Sequence, residues 1–454
     1  MNPYPGSARA SGSMGRPEAA LCLDLGSAYT KIGFRESGGT RTRLLRTEGG
    51  GGEDEGVCIP SVAAWRERDD RWVFGAEAAD LVEGNGIRVF RNWKQDLFPA
   101  GGRGGGRRRP ALPAEPTERE ERQALGSGPG SYLRARTVAR RFLGWLRSEV
   151  VPPRVPGFDP GRTAARLCVP DFALFTPQAM DLDRLMESVG WGGRAPRGCS
   201  EPLANVTGVL TDGRNAVMEP EPGSGRWFAN LPDMFRPGHV RSVTQVSRAG
   251  REGDGEEHST LVVDIGAYTT DFALLSVDVS RRGVFPLSET GSSPLGIHEL
   301  DRRLREAVPP RLGAQLERLS GREWERLHRV VYGERREWEL PGGGGTIGRG
   351  PDAQAAVGRV LARFGLEVAA AMTGFLDRHR PPCIQEVILT GGGNRIPELS
   401  GVLRHALAGR RVTVFYLPRA GTGNRCGAEE MELSSELIRG ASAIGGASVV
   451  FDAG

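Results

Sequence analysis

Residues 21–34, Leu21-Cys22-Leu23-Asp24-Leu25-Gly26-Ser27-Ala28-Tyr29-Thr30-Lys31-Ile32-Gly33-Phe34, read as strand, turn, strand. A short apolar run ends in Asp24-Leu25-Gly26, and the second arm opens at Lys31. Far downstream the pattern returns. Leu261-Val262-Val263 ends in Asp264-Ile265-Gly266, and the second arm runs from Asp271 through Leu275. Aligned, LDLGSAYTKIGF and VDIGAYTTDFAL are one motif used twice. The spacing is too wide for a solenoid repeat, so the expectation is two like α/β lobes, each contributing one hairpin.

Length and composition agree. The chain has 454 residues, and at ~150 residues per domain that is two or three domains. Its 60 Lys plus Arg against 56 Asp plus Glu leave a net charge of +4. That balance argues against a dedicated nucleic-acid binder, which would carry a concentrated basic face. No apolar run is long enough for a membrane span. Six scattered cysteines and six histidines show no metal-ligand or disulfide spacing, and a reducing cytoplasm is the expected setting. Arginine dominates the basic residues, and Lys31 and Lys94 are the only lysines. A compact ammonium that donates to a phosphate is a role arginine does not replace.

A first division of the chain follows. Residues 1–18 read as a disordered lead, 19–210 as a first lobe, 211–258 as an insertion and 259–454 as a second lobe. Residues 99–130 are low-complexity and read as a disordered insertion in the first lobe, with Arg107-Arg108-Arg109 as a basic cluster. Helices are expected over 131–150, where Val138, Phe142, Leu146 and Val150 recur every four residues, and near 300–307, 322–331, 353–377 and 434–443. Some order is expected around Trp227 and Phe228, and Trp324 and Trp338 read as packing residues.

A turn between two strands presents successive backbone N–H groups to one point, which suits phosphate oxygens. Gly26-Ser27-Ala28-Tyr29 is one such turn, with Lys31 just beyond it. Gly266-Ala267-Tyr268-Thr269 is the second. Were the hairpins to face each other, Asp24, Asp264 and Asp271 would converge and hold a hydrated Mg²⁺ through its waters. In Val387–Leu399 an apolar strand runs into Thr390-Gly391-Gly392-Gly393. Consecutive glycines there bring backbone within reach of a flat ligand such as adenine and ribose.

These elements in this order resemble the actin-like ATPase superfamily, whose members share a duplicated ribonuclease H-like fold with two lobes around a nucleotide cleft. The chain is most similar to the nucleotide-binding domain of the 70-kDa heat-shock (DnaK-type) chaperones. Ile59-Pro60-Ser61-Val62, Phe74-Gly75-Ala76-Glu77-Ala78-Ala79, Cys168-Val169-Pro170-Asp171-Phe172 leading to Glu201-Pro202-Leu203-Ala204-Asn205, and Pro294–Asp301 resemble further segments of that domain. Lys31 instead follows the actin pattern DxGSxxxKxGF.

The resemblance implies ATP or ADP with Mg²⁺ as cofactors. Asp24, Asp264 and Asp271 would surround the metal and the attacking water, and Thr269 would reach the γ-phosphate. Glu201 would orient water or metal. Lys94 resembles the chaperones' catalytic lysine, and Lys31 would meet the phosphates. Gly26, Ser27, Ala28, Gly266, Ala267 and Tyr268 would line the phosphate turns. Gly391, Gly392, Gly393 and Arg395 would line the nucleoside, with Glu325, Arg329 and His328 on the adenine side. The expected function is an ATP-binding switch with weak ATPase activity, acting on an unidentified protein partner and lacking the chaperones' peptide-binding domain. No specific nucleic acid and no membrane is expected as partner. Ala267-Tyr268 replaces the glycine pair usual in the second turn, which keeps a non-hydrolysing scaffold as an alternative. The Lys31 pattern keeps a self-associating, filament-forming protein as another.

Overall fold

In the computed structural model the chain is mixed α/β. The structure describes residues 19–36, 38–46, 55–98, 116–128, 130–170, 177–191, 198–220, 227–231, 258–278, 283–333, 337–381, 384–410, 412–418 and 429–451. The N-terminal lead, the cluster at 107–109 and all of 232–257 lie outside these residues.

The first sheet contains β1 (Ala19–Leu25), β2 (Tyr29–Arg35), β3 (Thr42–Leu44), β4 (Ile59–Pro60), β8 (Thr163–Val169) and β9 (Gly198–Ser200). Its order is β3-β2-β1-β8-β9, with β4 paired to β2. A side sheet holds β5 (Ala63–Arg66), β6 (Arg71–Phe74) and β7 (Ile87–Phe90). The helices of this half are α1 (Gly75–Ala79), α2 (Trp93–Leu97), α3 (Glu118–Leu125), α4 (Tyr132–Trp145), α5 (Pro177–Ser188) and α6 (Glu201–Thr211).

The second sheet has nine strands. They are β10 (Ala216–Pro220), β11 (Trp227–Asn230), β12 (His258–Ile265), β13 (Thr270–Asp278), β14 (Gly283–Ser293), β17 (Ile384–Thr390), β18 (Val414–Leu417), β19 (Glu429–Glu432) and β20 (Val449–Phe451). The order is β19-β18-β17-β12-β13-β14-β11-β10-β20. A small pair, β15 (Trp338–Glu339) and β16 (Thr346–Ile347), stands apart. The helices are α7 (Ile297–Ala307), α8 (Pro310–Leu316), α9 (Gly321–Leu327), α10 (Pro351–His379), α11 (Pro397–Ala406) and α12 (Ser435–Ser448).

The two sheets repeat one pattern. In β3-β2-β1-β8-β9 the first two pairings are antiparallel and the next two parallel. In β14-β13-β12-β17-β18 the same holds in the same order. Strand alternation then decides the layers, because successive side chains point to opposite faces. Leu21, Leu23 and Leu25 pack with Val138 and Phe142 of α4, whereas Cys22 packs with Ala204 of α6 and Ala447 of α12. Likewise Leu261, Val263 and Ile265 pack with Phe364 and Val368 of α10, whereas Val262 packs with Val206 of α6 and Ile438 of α12. Helices α6 and α12 therefore lie between the two sheets, with α4 and α5 outside one and α10 and α11 outside the other.

The contact between α6 and α12 is made through glycines. A Cβ on Gly445 would stand 1.9 Å from the Ala204 carbonyl oxygen, and one on Gly208 would stand 2.2 Å from that of Ala441. On the same helix, the Gly446 position abuts Cys22 Sγ. The last carbonyls of α12, which lack intrahelical partners, accept from buried arginines. Arg166 donates to Gly446 O at 2.8 Å and to Val449 O, and Arg35 donates to Ser448 O at 3.3 Å. Cations at that end also suit the helix dipole.

Several expectations are corrected. Residues 118–125 of the segment read as disordered form α3, begun by a capping box in which Thr117 and Glu120 exchange bonds. Ala124 and Leu125 are buried, and Glu121 pairs with Arg140 of α4. Of that segment, 99–115 and 129 lie outside the described residues. The stretch read as the insertion 211–258 supplies β10 and β11, which extend the second sheet because Met218, Phe228 and Ala229 bury there. The boundary at 259 is also not a packing boundary, since α12 lies on β1, β2 and β3 as well as on α6. The five expected helices all form, the first continuing into a π turn over Leu146–Val150. Trp338 packs in the second core.

Two predictions follow from this packing. Gly445→Ala drives a methyl into the Ala204 carbonyl, at a cost of about 1–3 kcal/mol by urea unfolding; an unchanged midpoint would show that the helices can separate freely. The second concerns Glu386 on β17, which is 6% exposed and accepts from Thr260 Oγ1 at 3.1 Å. Burial pushes its carboxyl from 4.5 up to about 7. The folded state thus holds a proton the unfolded state releases, so stability is full below 4.5 and falls as pH rises through 7. Glu386→Gln is expected to flatten that fall in denaturation midpoints measured across the range, and an unaltered slope would contradict the assignment.

Candidate functional site

The two aspartates continue the inward faces of their strands. Asp24 follows Cys22 at the end of β1, and Asp264 follows Val262 at the end of β12. Their registers match: Asp24 pairs with Lys31 and Asp264 with Asp271 across the hairpins, and Asp24 pairs with Cys168 and Asp264 with Thr390 on the parallel side. Each aspartate meets one of the two central helices. Ser442 Oγ of α12 donates to Asp24 Oδ2 at 2.7 Å, and Asn205 Nδ2 of α6 donates to Asp264 Oδ2 at 3.3 Å.

Asp24 is buried, at 2% exposure. Burial opposes its charge, but Lys31, Lys94 and the Ser442 hydroxyl outweigh that and hold it below 3.8. Lys31 Nζ lies 3.2 Å from Oδ2, while Oδ1 is buried with no hydrogen-bond partner. Burial also opposes the Lys31 charge, yet Asp24, Cys58 and Asp264 keep the ammonium above its ordinary value. Lys94, on α2, pairs with Glu201 at the start of α6 at 3.5 Å. There too burial is outweighed, by Glu201 and Asp24, and the ammonium is raised. Both lysines of the chain therefore act on the same carboxylate.

The other carboxylates shift upward. Burial raises Glu201, with Lys94 opposing and Asp24 and Asp271 adding. Asp264 is pushed from 3.8 to about 7, by burial first and then by the charge of Glu201. Asp271 is reached by solvent, but protein crowds it from several sides and raises it, against hydrogen bonds from Ser292 and Thr269. Thr269 Oγ1 donates to Asp271 Oδ2 at 2.9 Å. Among the described residues no group of three or more His, Cys, Asp or Glu side chains stands close enough to hold a metal ion directly. The expected metal ligands Asp24, Asp264 and Asp271 do not form such a group, which leaves a cation to be met by one or two of these carboxylates or through intervening water.

The turns are held from outside. Ser61 Oγ donates to Gly26 O at 2.7 Å, Ser61 N donates to Ala28 O at 2.8 Å, and Trp93 Nε1 donates to Ser61 O at 2.9 Å. A side chain at Gly26 would strike Tyr29 O, 2.3 Å from its Cβ. The second turn is closed by Gly266 N donating to Thr269 O at 2.9 Å. It rests on the start of α7, where Ile297 N and His298 N donate to Gly266 O and Ala267 O at 3.1 and 2.8 Å.

The glycine turn after β17 comes to the same place. Gly391 has φ +87°, and a Cβ on it would stand 2.2 Å from Asp264 Oδ1. Gly393 fits against Ile265, and Asn394 Nδ2 donates to Val263 O at 3.1 Å and to Thr390 O. Gly392 is exposed and open. Arg395 ends this turn.

On the expected adenine side, Arg329 is exposed and the Glu325 side chain lies outside the described residues. His328 is half-buried, its Nε2 2.8 Å from the buried Asp301, which also accepts from Tyr332 OH at 3.0 Å. Ser61, Asn205 and Ser442 belong to the site; Ser61 and Asn205 lie in the segments 59–62 and 201–205 that resemble the chaperone domain, but none of the three is among the expected site residues. For Ser442 the signal is its place in a small-residue run.

Lys31→Met should leave Asp24 a buried carboxylate without its nearest cation, lowering unfolding free energy by about 3–5 kcal/mol. Adding Asp24→Asn should restore most of that, and a double variant no more stable than the single one would contradict the pairing. No protein-family model matches this chain, and no curated protein matches it.

Proposed function

We propose that this chain is an ATP-binding protein of the actin-like ATPase superfamily, with two ribonuclease H-like lobes, and that it resembles the nucleotide-binding domain of the 70-kDa heat-shock chaperones. One observation carries the reading. The same five-strand order and the same Asp-ending hairpin occur twice, with Asp24 and Asp264 at equivalent registers on faces turned toward the same pair of helices.

The donor set fits a magnesium-bound polyphosphate. Two ammoniums and four carboxylates act on one another beside the two strand-end turns, and Asp24 keeps a buried oxygen without a hydrogen-bond partner among the described residues. Lys31 and Lys94 bind and neutralise phosphate oxygens, and the turns at 26–29 and 266–269 offer backbone N–H groups. Asp24, Asp264 and Asp271 orient the water shell of Mg²⁺, which when bound neutralises charge building on the transferred phosphoryl group. Thr269 and Glu201 position the attacking water. Phosphoryl transfer needs positioning and charge neutralisation more than a strong base, and Asp264, pushed up to about 7, can hold a proton near neutrality. The open face at Gly392 accommodates the nucleoside. The biological role is a nucleotide switch for a protein partner.

Binding without turnover is a second reading, favoured by Tyr268 standing inside the second turn. Single-turnover hydrolysis of Mg-ATP by wild type and Asp264→Ala separates the two. Turnover lost in the variant is the expected result. Equal turnover in both would reject the assigned site, and none in either would leave the binding-only switch.

A further inference from the structure

The second turn is built against the start of α7, and that contact sorts its groups onto two sides. Ile297 N and His298 N donate to Gly266 O and Ala267 O at 3.1 and 2.8 Å, so both carbonyls point at the helix. Across a trans peptide the carbonyl and the N–H that follows it point in opposite directions. The N–H groups of Ala267 and Tyr268 therefore point away from α7. Neither joins a backbone hydrogen bond among the described residues.

The Tyr268 ring goes to the helix instead. It packs on the His298 ring, with centroids 4.2 Å apart and planes 32° apart. Glycine at 296 permits the approach, because a Cβ there would stand 2.3 Å from Tyr268 C and 2.5 Å from Tyr268 N. His298 is braced in turn. Its Nδ1 lies 3.8 Å from Asp301 Oδ2, and the other oxygen of Asp301 meets His328 Nε2 at 2.8 Å and Tyr332 OH at 3.0 Å. Burial, helped by His328 and Arg305, holds the imidazole below its ordinary value against the pull of Asp301. A neutral imidazole serves as a packing surface, which another aromatic ring can replace.

We propose that His298 is a positioning residue that docks the Tyr268 ring on α7 and so leaves the Ala267 and Tyr268 N–H groups open to the phosphates of the nucleotide. The proposal rests on the nucleotide reading and deepens it. A tyrosine in this turn is compatible with phosphate binding as long as His298 holds its ring. Without that dock the ring rotates among its rotamers and covers the turn part of the time.

Titrations of the full chain with Mg-ATP and with magnesium pyrophosphate test it. The variants are His298→Ala, His298→Phe, Tyr268→Gly and the double variant Tyr268→Gly, His298→Ala. His298→Ala should weaken both ligands roughly fivefold, the scale of one aromatic pair. His298→Phe keeps a ring for Tyr268 to pack on and should bind within about twofold of wild type. With no ring left to dock, His298 becomes dispensable, so the double variant should bind as Tyr268→Gly does. A merely structural role would give the same loss in both backgrounds. Wild-type binding by His298→Ala, no rescue by His298→Phe, or an equal loss in the Tyr268→Gly background would overturn the proposal and leave the nucleotide reading standing. A wild type that binds neither ligand would reject that reading and the proposal with it.

Discussion

The arrangement depends on how closely α6 and α12 approach each other. They touch backbone to backbone at Gly208 and Gly445, with no side chain between them. That contact fixes the distance between the two sheets, because each helix packs on both. It also fixes the site. Ser442 reaches Asp24 from α12, and Asn205 reaches Asp264 from α6. A thicker helix pair would pull the two aspartates away from their partners and from each other. Small residues at 440–448 therefore serve geometry before they serve stability.

Within that frame the charges are unevenly matched. Asp24, Glu201, Asp264 and Asp271 share the cations Lys31 and Lys94. Desolvation and mutual repulsion resolve the imbalance by dividing the carboxylates into two kinds. Asp24, paired with Lys31 and drawn on by Lys94 as well, stays ionised, while Glu201, though paired with Lys94, shifts toward the neutral form together with Asp264 and Asp271. An excess of acceptors over cations is the state from which a hydrated divalent ion gains most. The same excess explains why lysine, a compact and strongly hydrated charge, stands at these two positions in a chain otherwise built with arginine.

Much of this was legible in the sequence, for physical reasons that differ by element. The hairpins at 21–34 and 261–275 were legible because strand, turn and charge occur in fixed local order. The long helices were legible from their period, as Val138, Phe142, Leu146 and Val150 illustrate. The resemblance of the two hairpins pointed to like sheets, and the repeated strand order agrees with it. Of strands β10, β11 and β20, at one end of the second sheet, only some order around Trp227 and Phe228 was legible, because short strands take their order from partners distant in sequence. Helix α3 was hidden in a low-complexity setting, although Thr117 and Glu120 carry a capping signature. The roles of Ser61, Asn205 and Ser442 were not legible, although the first two lie in quoted segments, because a hydroxyl or amide acquires meaning only from the carboxylate or turn the fold sets beside it.

The central claim is that the cleft between the hairpins takes Mg-ATP with its nucleoside against the turn at 391–393. A titration of the full chain with Mg-ATP, beside Gly392→Trp, tests it most directly. Gly392 has open space around it, so an indole there displaces no protein atom while obstructing the proposed nucleoside position. Saturable binding by the wild type, weakened at least about tenfold in the variant, a change of roughly 1.4 kcal/mol, is the predicted result. No binding by the wild type, or equal binding by both, would contradict it.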